Sequence, residues 1–250
     1  MVSNTTVLIT GCNRGIGRGL LEIYLSRADH DIIGTARHTS PSLLAELDAI
    51  PKGKNTRLIL LKLDSASTTD ASSVVEALKS TYQVTHIDTV IANAGISNYF
   101  GPARDTPPEE MLSHYTVNTM GPLLLFQATA SLLDLSSNPK FVTISSGAGS
   151  ISGTDHLKVE NTAYGASKCA LNFVTRKIHM ENPGIIAFPI NPGWLRTDLG
   201  NHAATGAGME QAPVSVDDGI KGVVAKIDNA TREFTSGKFL SGQDDTILSW

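Results

Sequence analysis

Six short apolar runs punctuate the chain: Thr6 to Thr10, Ile32 to Ala36, Leu58 to Leu63, Thr89 to Ala92, Phe141 to Ile144 and Ile185 to Pro189. They are nearly all apolar, whereas a strand with one wet face would alternate with period two. Between them, apolar residues recur at helical spacing. Strands and helices in alternation specify a parallel sheet with crossover helices, buried on both faces. The pattern predicts a single α/β domain over residues 1–250 with a doubly wound sheet of about seven strands.

Some helix boundaries follow from local chemistry. Thr106-Pro107-Pro108-Glu109 offers an N-cap, a proline at the first helical position and a reciprocal carboxylate, predicting a helix from about Pro107. Ser215 with Asp218 repeats the device, and Ile220, Val223, Val224 and Ile227 then share one helical face. Residues 196–213 show no strong periodicity, which predicts a loop acting as a substrate lid.

With 250 residues and 41% hydrophobic content, one substantial core is within reach. A net charge of -4 and a pI near 6.0 give no general attraction to nucleic acid. No apolar stretch approaches the roughly 18 residues of a membrane span, and the polar N-terminus carries no basic leader. A cytoplasmic protein without membrane or nucleic-acid partners is the expectation. Two cysteines, Cys12 and Cys169, are too few for a disulfide framework. No His-Glu-x-x-His or Gly-x-Ser-x-Gly motif occurs, so metalloprotease and α/β-hydrolase readings lose their support and no metal is expected.

Directly after the first strand comes Gly11-Cys12-Asn13-Arg14-Gly15-Ile16-Gly17, which runs into a helical pattern. Glycines there let backbone N–H groups approach a pyrophosphate at a helix N-terminus, so the context is that of a Rossmann-like dinucleotide site. The spacing is not Gly-x-Gly-x-x-Gly, and a ligand-free tight turn is the alternative. After the second strand, where an acidic residue would hold the ribose 2′-OH of NAD, the chain has Arg37. Arg37 and Arg14 together suit a 2′-phosphate, which points to NADP(H); a solvated strand-end arginine is the plain reading.

Tyr164 and Lys168 stand one helical turn apart. Reducing a carbonyl requires hydride at carbon and a proton at oxygen. A tyrosine, with a free pKa of about 10, becomes a usable acid when a cation favours its phenolate.

The ordered set of the Gly11–Gly17 turn, Asp64, Asn93-Ala94-Gly95, Asn118, Ser145-Ser146, Tyr164-x-x-x-Lys168 and Pro192-Gly193 resembles the short-chain dehydrogenase/reductase family over almost the whole chain. Arg14 to Leu20, Leu124 to Thr129 and Trp250 are similar to ketoreductases of fungal polyketide pathways. The resemblance implies Ser146 as the serine that orients the substrate carbonyl, with Ser145 as runner-up, and Asn118 holding a water that links Lys168 to solvent. It implies Asp64 at the adenine, Asn93, Ala94 and Gly95 near the adenine ribose, and Pro192, Gly193, Leu195 and Thr197 at the nicotinamide carboxamide. It further implies a homodimer or homotetramer. The 18 positions from Ser146 to Tyr164 exceed the family's usual interval, leaving the pocket wall near Asp155 to Glu160 undefined.

Tyr99, Phe100, Trp194 and Met209 suggest a bulky apolar or aromatic carbonyl substrate, with loop packing as the alternative; His156 reads as a surface residue. Two further readings stay open. One is a non-catalytic NADP(H)-binding regulatory protein on the same fold; the other is a lyase or epimerase using bound nicotinamide.

Overall fold

The computed structural model describes residues 4–156 and 159–250. Its strands are β1 (Thr5–Thr10), β2 (His30–Ala36), β3 (Arg57–Lys62), β4 (Thr89–Ala92), β5 (Lys140–Ile144), β6 (Ile186–Asn191), β7 (Phe239–Ser241) and β8 (Ile247–Leu248). The helices are α1 (Gly15–Leu25), α2 (Pro41–Asp48), α3 (Asp70–Ser80), α4 (Pro108–Tyr115), α5 (Gly121–Leu133), α6 (Thr162–Glu181), α7 (Asp198–Gly206) and α8 (Val216–Asp228). The strands form one sheet in the order β3-β2-β1-β4-β5-β6-β7-β8, parallel except for the final antiparallel pair. It is a Rossmann-like single domain. All six apolar runs are strands, within two residues at each end. The eighth strand is a two-residue edge, too short to show in any periodicity.

Burial on both faces explains the unbroken apolar runs. Successive side chains of a strand point to opposite faces, so Val7 and Ile9 pack in one cluster while Leu8 packs in the other. Ile32 and Ile33, and Val142 and Phe141, divide the same way. The first cluster is closed by Leu20, Leu21 and Leu25 of α1 and by Ile220, Val223, Val224 and Ile227 of α8. The second is closed by Val74, Val75 and Leu78 of α3, Leu125, Leu132 and Leu133 of α5, and Ile178 of α6.

Two expectations are corrected. Helix α4 starts at Pro108, not Pro107, and no side chain caps it. A residue before proline is pushed into extended backbone, and Pro107 sits at φ -66°, ψ 144°, which delays the helix by one residue. The Thr106 hydroxyl donates instead to the Pro102 carbonyl at 2.9 Å. The segment 196–213 is also not all loop, since α7 occupies Asp198–Gly206, with Thr197 Oγ1 accepting from the Gly200 N–H at 3.1 Å. Small residues and glycines hide its periodicity. The Ser215 cap is present, its hydroxyl accepting from the Asp218 N–H at 3.1 Å.

Phe141 is fully buried on β5 and meets Phe126 of α5 edge to face, with centroids 5.1 Å apart. Phe141→Ala is expected to lower unfolding stability by about 3–5 kcal/mol, read as a lower midpoint in urea denaturation with unchanged slope.

Candidate active site

Strand order reverses between β1 and β4, and in open α/β sheets ligands bind where such a reversal opens a crevice at the carboxyl ends of the strands. A cleft of about 790 Å³ lies there. Every residue singled out from sequence for coenzyme or catalysis lines it, except Gly17 and Asn118, which stand behind the wall.

The glycine turn is shaped for close backbone approach. Gly11 and Gly15 adopt φ +67° and +56°, which L side chains rarely take. A Cβ on Gly17 would lie 2.1 Å from the Gly11 carbonyl oxygen. The Asn93 side chain fastens the turn to β4 by donating to the Thr10 carbonyl at 2.8 Å. The Thr10 hydroxyl in turn accepts from the Asn93 and Ala94 N–H groups, both at 3.0 Å. A helix N-terminus with a side-chain-free approach fits a pyrophosphate.

Arg37 follows β2 directly and has no ion-pair partner among the described residues. Arg14 is 3.2 Å from Asp198 at the start of α7, a pairing the sequence did not reveal because 184 positions separate the two. Both side chains are exposed, so the pair is worth under about 1 kcal/mol and does not withhold Arg14 from a phosphate. Arg18 also borders the cleft, but Glu22 and Glu46 engage its guanidinium. His38 and Ser65 line the cleft and were missed; both directly follow residues that were read.

Tyr164 and Lys168 lie on α6, with the Lys168 ammonium 5.7 Å from the Tyr164 ring centroid. Lys168 is buried and donates to the Ile144 carbonyl at 2.8 Å. Desolvation pushes its pKa down from 10.5 to about 8. Burial pushes the Tyr164 phenol above its ordinary range, and hydrogen bonding by the Ser146 side chain offsets part of that rise. Ser145 and Ser146 both border the cleft, but Ser145 is buried and its hydroxyl is spent on Asn172 Oδ1 at 2.6 Å. The geometry therefore favours Ser146 over Ser145.

Asn118 sits in a π-helical turn, Thr116–Met120, that joins α4 to α5. Its amide bonds both backbone groups of Ile96, accepting from the N–H at 2.8 Å and donating to the carbonyl at 2.9 Å. It also donates to Ser167 Oγ on α6 at 2.9 Å. The amide is thus committed to holding the loop after β4.

Around the substrate half, Phe100, Trp194, Val159, Leu199 and Ala203 line the cleft. Phe100 meets His202 of α7 edge to face at 5.1 Å. Tyr99 and Met209 do not line it: the Tyr99 hydroxyl turns away to donate to the Asp105 carbonyl at 2.9 Å. His156 is exposed. Of the wall from Asp155 to Glu160, Leu157 and Lys158 lie outside the described residues, while the Glu160 carbonyl accepts from the Gly101 N–H at 2.8 Å. Among the described residues no cluster suited to a metal occurs, and no helix is long and apolar enough to cross a membrane.

The sequence model of the short chain dehydrogenase family matches residues 5–208. The norsolorinic acid ketoreductase of Aspergillus parasiticus is 41% identical over 248 residues, 98% of this chain and 91% of the relative. That of Dothistroma septosporum is 38% identical over 98% of this chain and 92% of its own length. The NADPH-bound carbonyl reductase from chicken fatty liver superposes with a TM-score of 0.86 at 26% identity, covering 100% of this chain and 96% of that one.

Gly17→Ala is expected to weaken nicotinamide-dinucleotide binding by at least tenfold, since the new methyl meets backbone; fluorescence titration of the reduced nucleotide measures it. Lys168 carries a linkage signature. Between about pH 8 and 10.5 the unfolded chain holds a proton that folded Lys168 has lost, so this residue's contribution to stability rises with pH through that window and is poorest below pH 8. Lys168→Met should raise apoprotein stability at pH 7 by roughly 1–3 kcal/mol. Denaturation curves at pH 7 and pH 10 should show that advantage shrinking at the higher pH.

Proposed function

The chain belongs to the short-chain dehydrogenase family of oxidoreductases, and from that premise we propose that it is an NADP(H)-dependent ketoreductase acting on a bulky apolar or aromatic, polyketide-like carbonyl compound. The observation that carries the reading is the buried Lys168 ammonium on the same helical face as Tyr164, with Ser146 across from the phenol. Its relatives' names support the substrate class, as does the apolar half of the cleft.

In this reading Gly11, Asn13, Gly15, Ile16 and Gly17 present the turn to the pyrophosphate, and Arg37 with Arg14 receives the 2′-phosphate. Asp64 meets the adenine, Asn93, Ala94 and Gly95 its ribose. Pro192, Gly193, Leu195 and Thr197 meet the carboxamide. When bound, NADPH would supply the hydride. Ser146 Oγ donates to the substrate carbonyl oxygen and fixes its direction. Tyr164 then gives its phenolic proton to that oxygen as negative charge develops there. Lys168 offsets the charge left on the phenolate and is itself reached from solvent through a water held by Asn118. Segment 196–213, including α7, acts as the substrate lid. Exposed Leu112 and Tyr115 on α4 and Phe173 and Met180 on α6 support a homodimer or homotetramer.

A panel of aryl ketones, quinones and norsolorinic acid, followed at the nicotinamide absorbance with NADPH and NADH, tests the whole reading. Substrate conversion with unchanged absorbance would indicate a lyase or epimerase instead. Tyr164→Phe should lower kcat by about 10²–10⁴-fold with nucleotide affinity retained. Arg37→Asp should erase or invert the preference for NADPH over NADH, measured as the ratio of the two kcat/KM values.

A further inference from the structure

Asn172 lies four residues beyond Lys168 and eight beyond Tyr164, which puts the three on one face of α6. It is buried, as are Ser145 and Gly149. Its Oδ1 accepts from the Ser145 hydroxyl at 2.6 Å and its Nδ2 donates to the Gly149 carbonyl at 3.2 Å. One amide therefore grips both ends of the five-residue loop Ser145–Gly149, whose second residue is Ser146.

The loop has little other freedom. The Ser145 N–H donates to the Ile190 carbonyl at 2.8 Å, and the Gly149 N–H to the Ser146 carbonyl at 2.9 Å. Ser146 Oγ accepts from the Ala148 N–H at 3.2 Å. Gly149 rests on the turn of α6 that carries Lys168, where a Cβ would lie 2.7 Å from the Lys168 carbonyl carbon. One turn further along, Thr143 and Thr175 share a hydrogen bond at 2.9 Å. A row of buried polar contacts thus fixes the register of α6 on the end of β5: Thr143 with Thr175, Ser145 with Asn172, and the Ile144 carbonyl with Lys168. Buried hydrogen-bonded networks define one arrangement because every alternative leaves a polar group unpaired.

The geometry points to Asn172 as a positioning residue for the carbonyl-reduction step: it sets the place of Ser146 relative to Tyr164 by tying the serine loop to the helix that bears the tyrosine. Ser145, a candidate catalytic serine by sequence, acts as the donor half of that tie. The inference rests on the reading of Ser146 and Tyr164 as the groups that meet the substrate, and the test separates the two.

The test is a double-mutant cycle. Asn172→Leu keeps the branched heavy-atom shape and removes both bonds; Ser145→Ala removes one oxygen and serves should the bulkier Asn172→Leu fail to fold. Each is made alone and together with Ser146→Ala, and kcat, KM for the ketone that wild type turns over fastest, and the NADPH dissociation constant are measured. Displacing a reacting group by an ångström costs up to 10²-fold, so Asn172→Leu should lower kcat roughly 10- to 100-fold, and Ser145→Ala by less. NADPH affinity should stay within about twofold. In the Ser146→Ala background neither substitution should lower kcat further. Equal losses in both backgrounds, or a wild-type kcat in both variants, would overturn the positioning role. A wild-type rate in Ser146→Ala alone would overturn the catalytic reading beneath it.

Discussion

The Lys168 ammonium is held away from water with a backbone carbonyl as its anchor and no carboxylate paired to it among the described residues. Burying an unpaired charge is costly, and in the proposed mechanism that cost is offset by an undamped positive field beside Tyr164. A carboxylate partner would neutralise the lysine and leave Tyr164 with the burial that raises its pKa and only the Ser146 hydrogen bond to oppose it. The Ile144 carbonyl orients the ammonium without cancelling its charge. The rest of the site is arranged around this constraint.

The sheet makes the arrangement possible. Lys168 reaches the Ile144 carbonyl because α6 crosses the carboxyl end of β5, and the β1–β4 reversal puts the glycine turn and Asn93 at the same edge. The π-helical turn around Asn118 serves that edge too. It bonds Ile96 on one side and Ser167 on the other, so the loop after β4 is tied directly to α6. Three segments far apart in sequence are locked together by buried amides and hydroxyls, while apolar clusters on both faces hold the layers beneath them.

Much of this was legible in the sequence, for identifiable reasons. Unbroken apolar runs such as Phe141 to Ile144 can only be strands covered on both faces, so the strand sequence and the layers followed. Tyr164 and Lys168 were legible because helical spacing needs no tertiary information. The partners of Asn118 were not, since Ile96 and Ser167 are distant in sequence, nor was the Arg14–Asp198 pair. Helix α7 was hidden by its glycines and small polar residues, and α4 was placed one residue early because two prolines compete for the same start. Ser145 and Ser146 differ only in which way each points from a strand end, so sequence alone favoured one by family pattern and geometry by burial.

The most direct measurement is the ionisation of Tyr164 itself, read as the phenolate absorbance of wild type minus that of Tyr164→Phe across pH, with and without saturating NADP⁺. Burial dominates the apoprotein, whereas an oxidised nicotinamide beside Lys168 would add a second positive charge. The account therefore predicts a phenolate midpoint lower by at least about one pH unit with nucleotide bound. An unchanged or higher midpoint would contradict it.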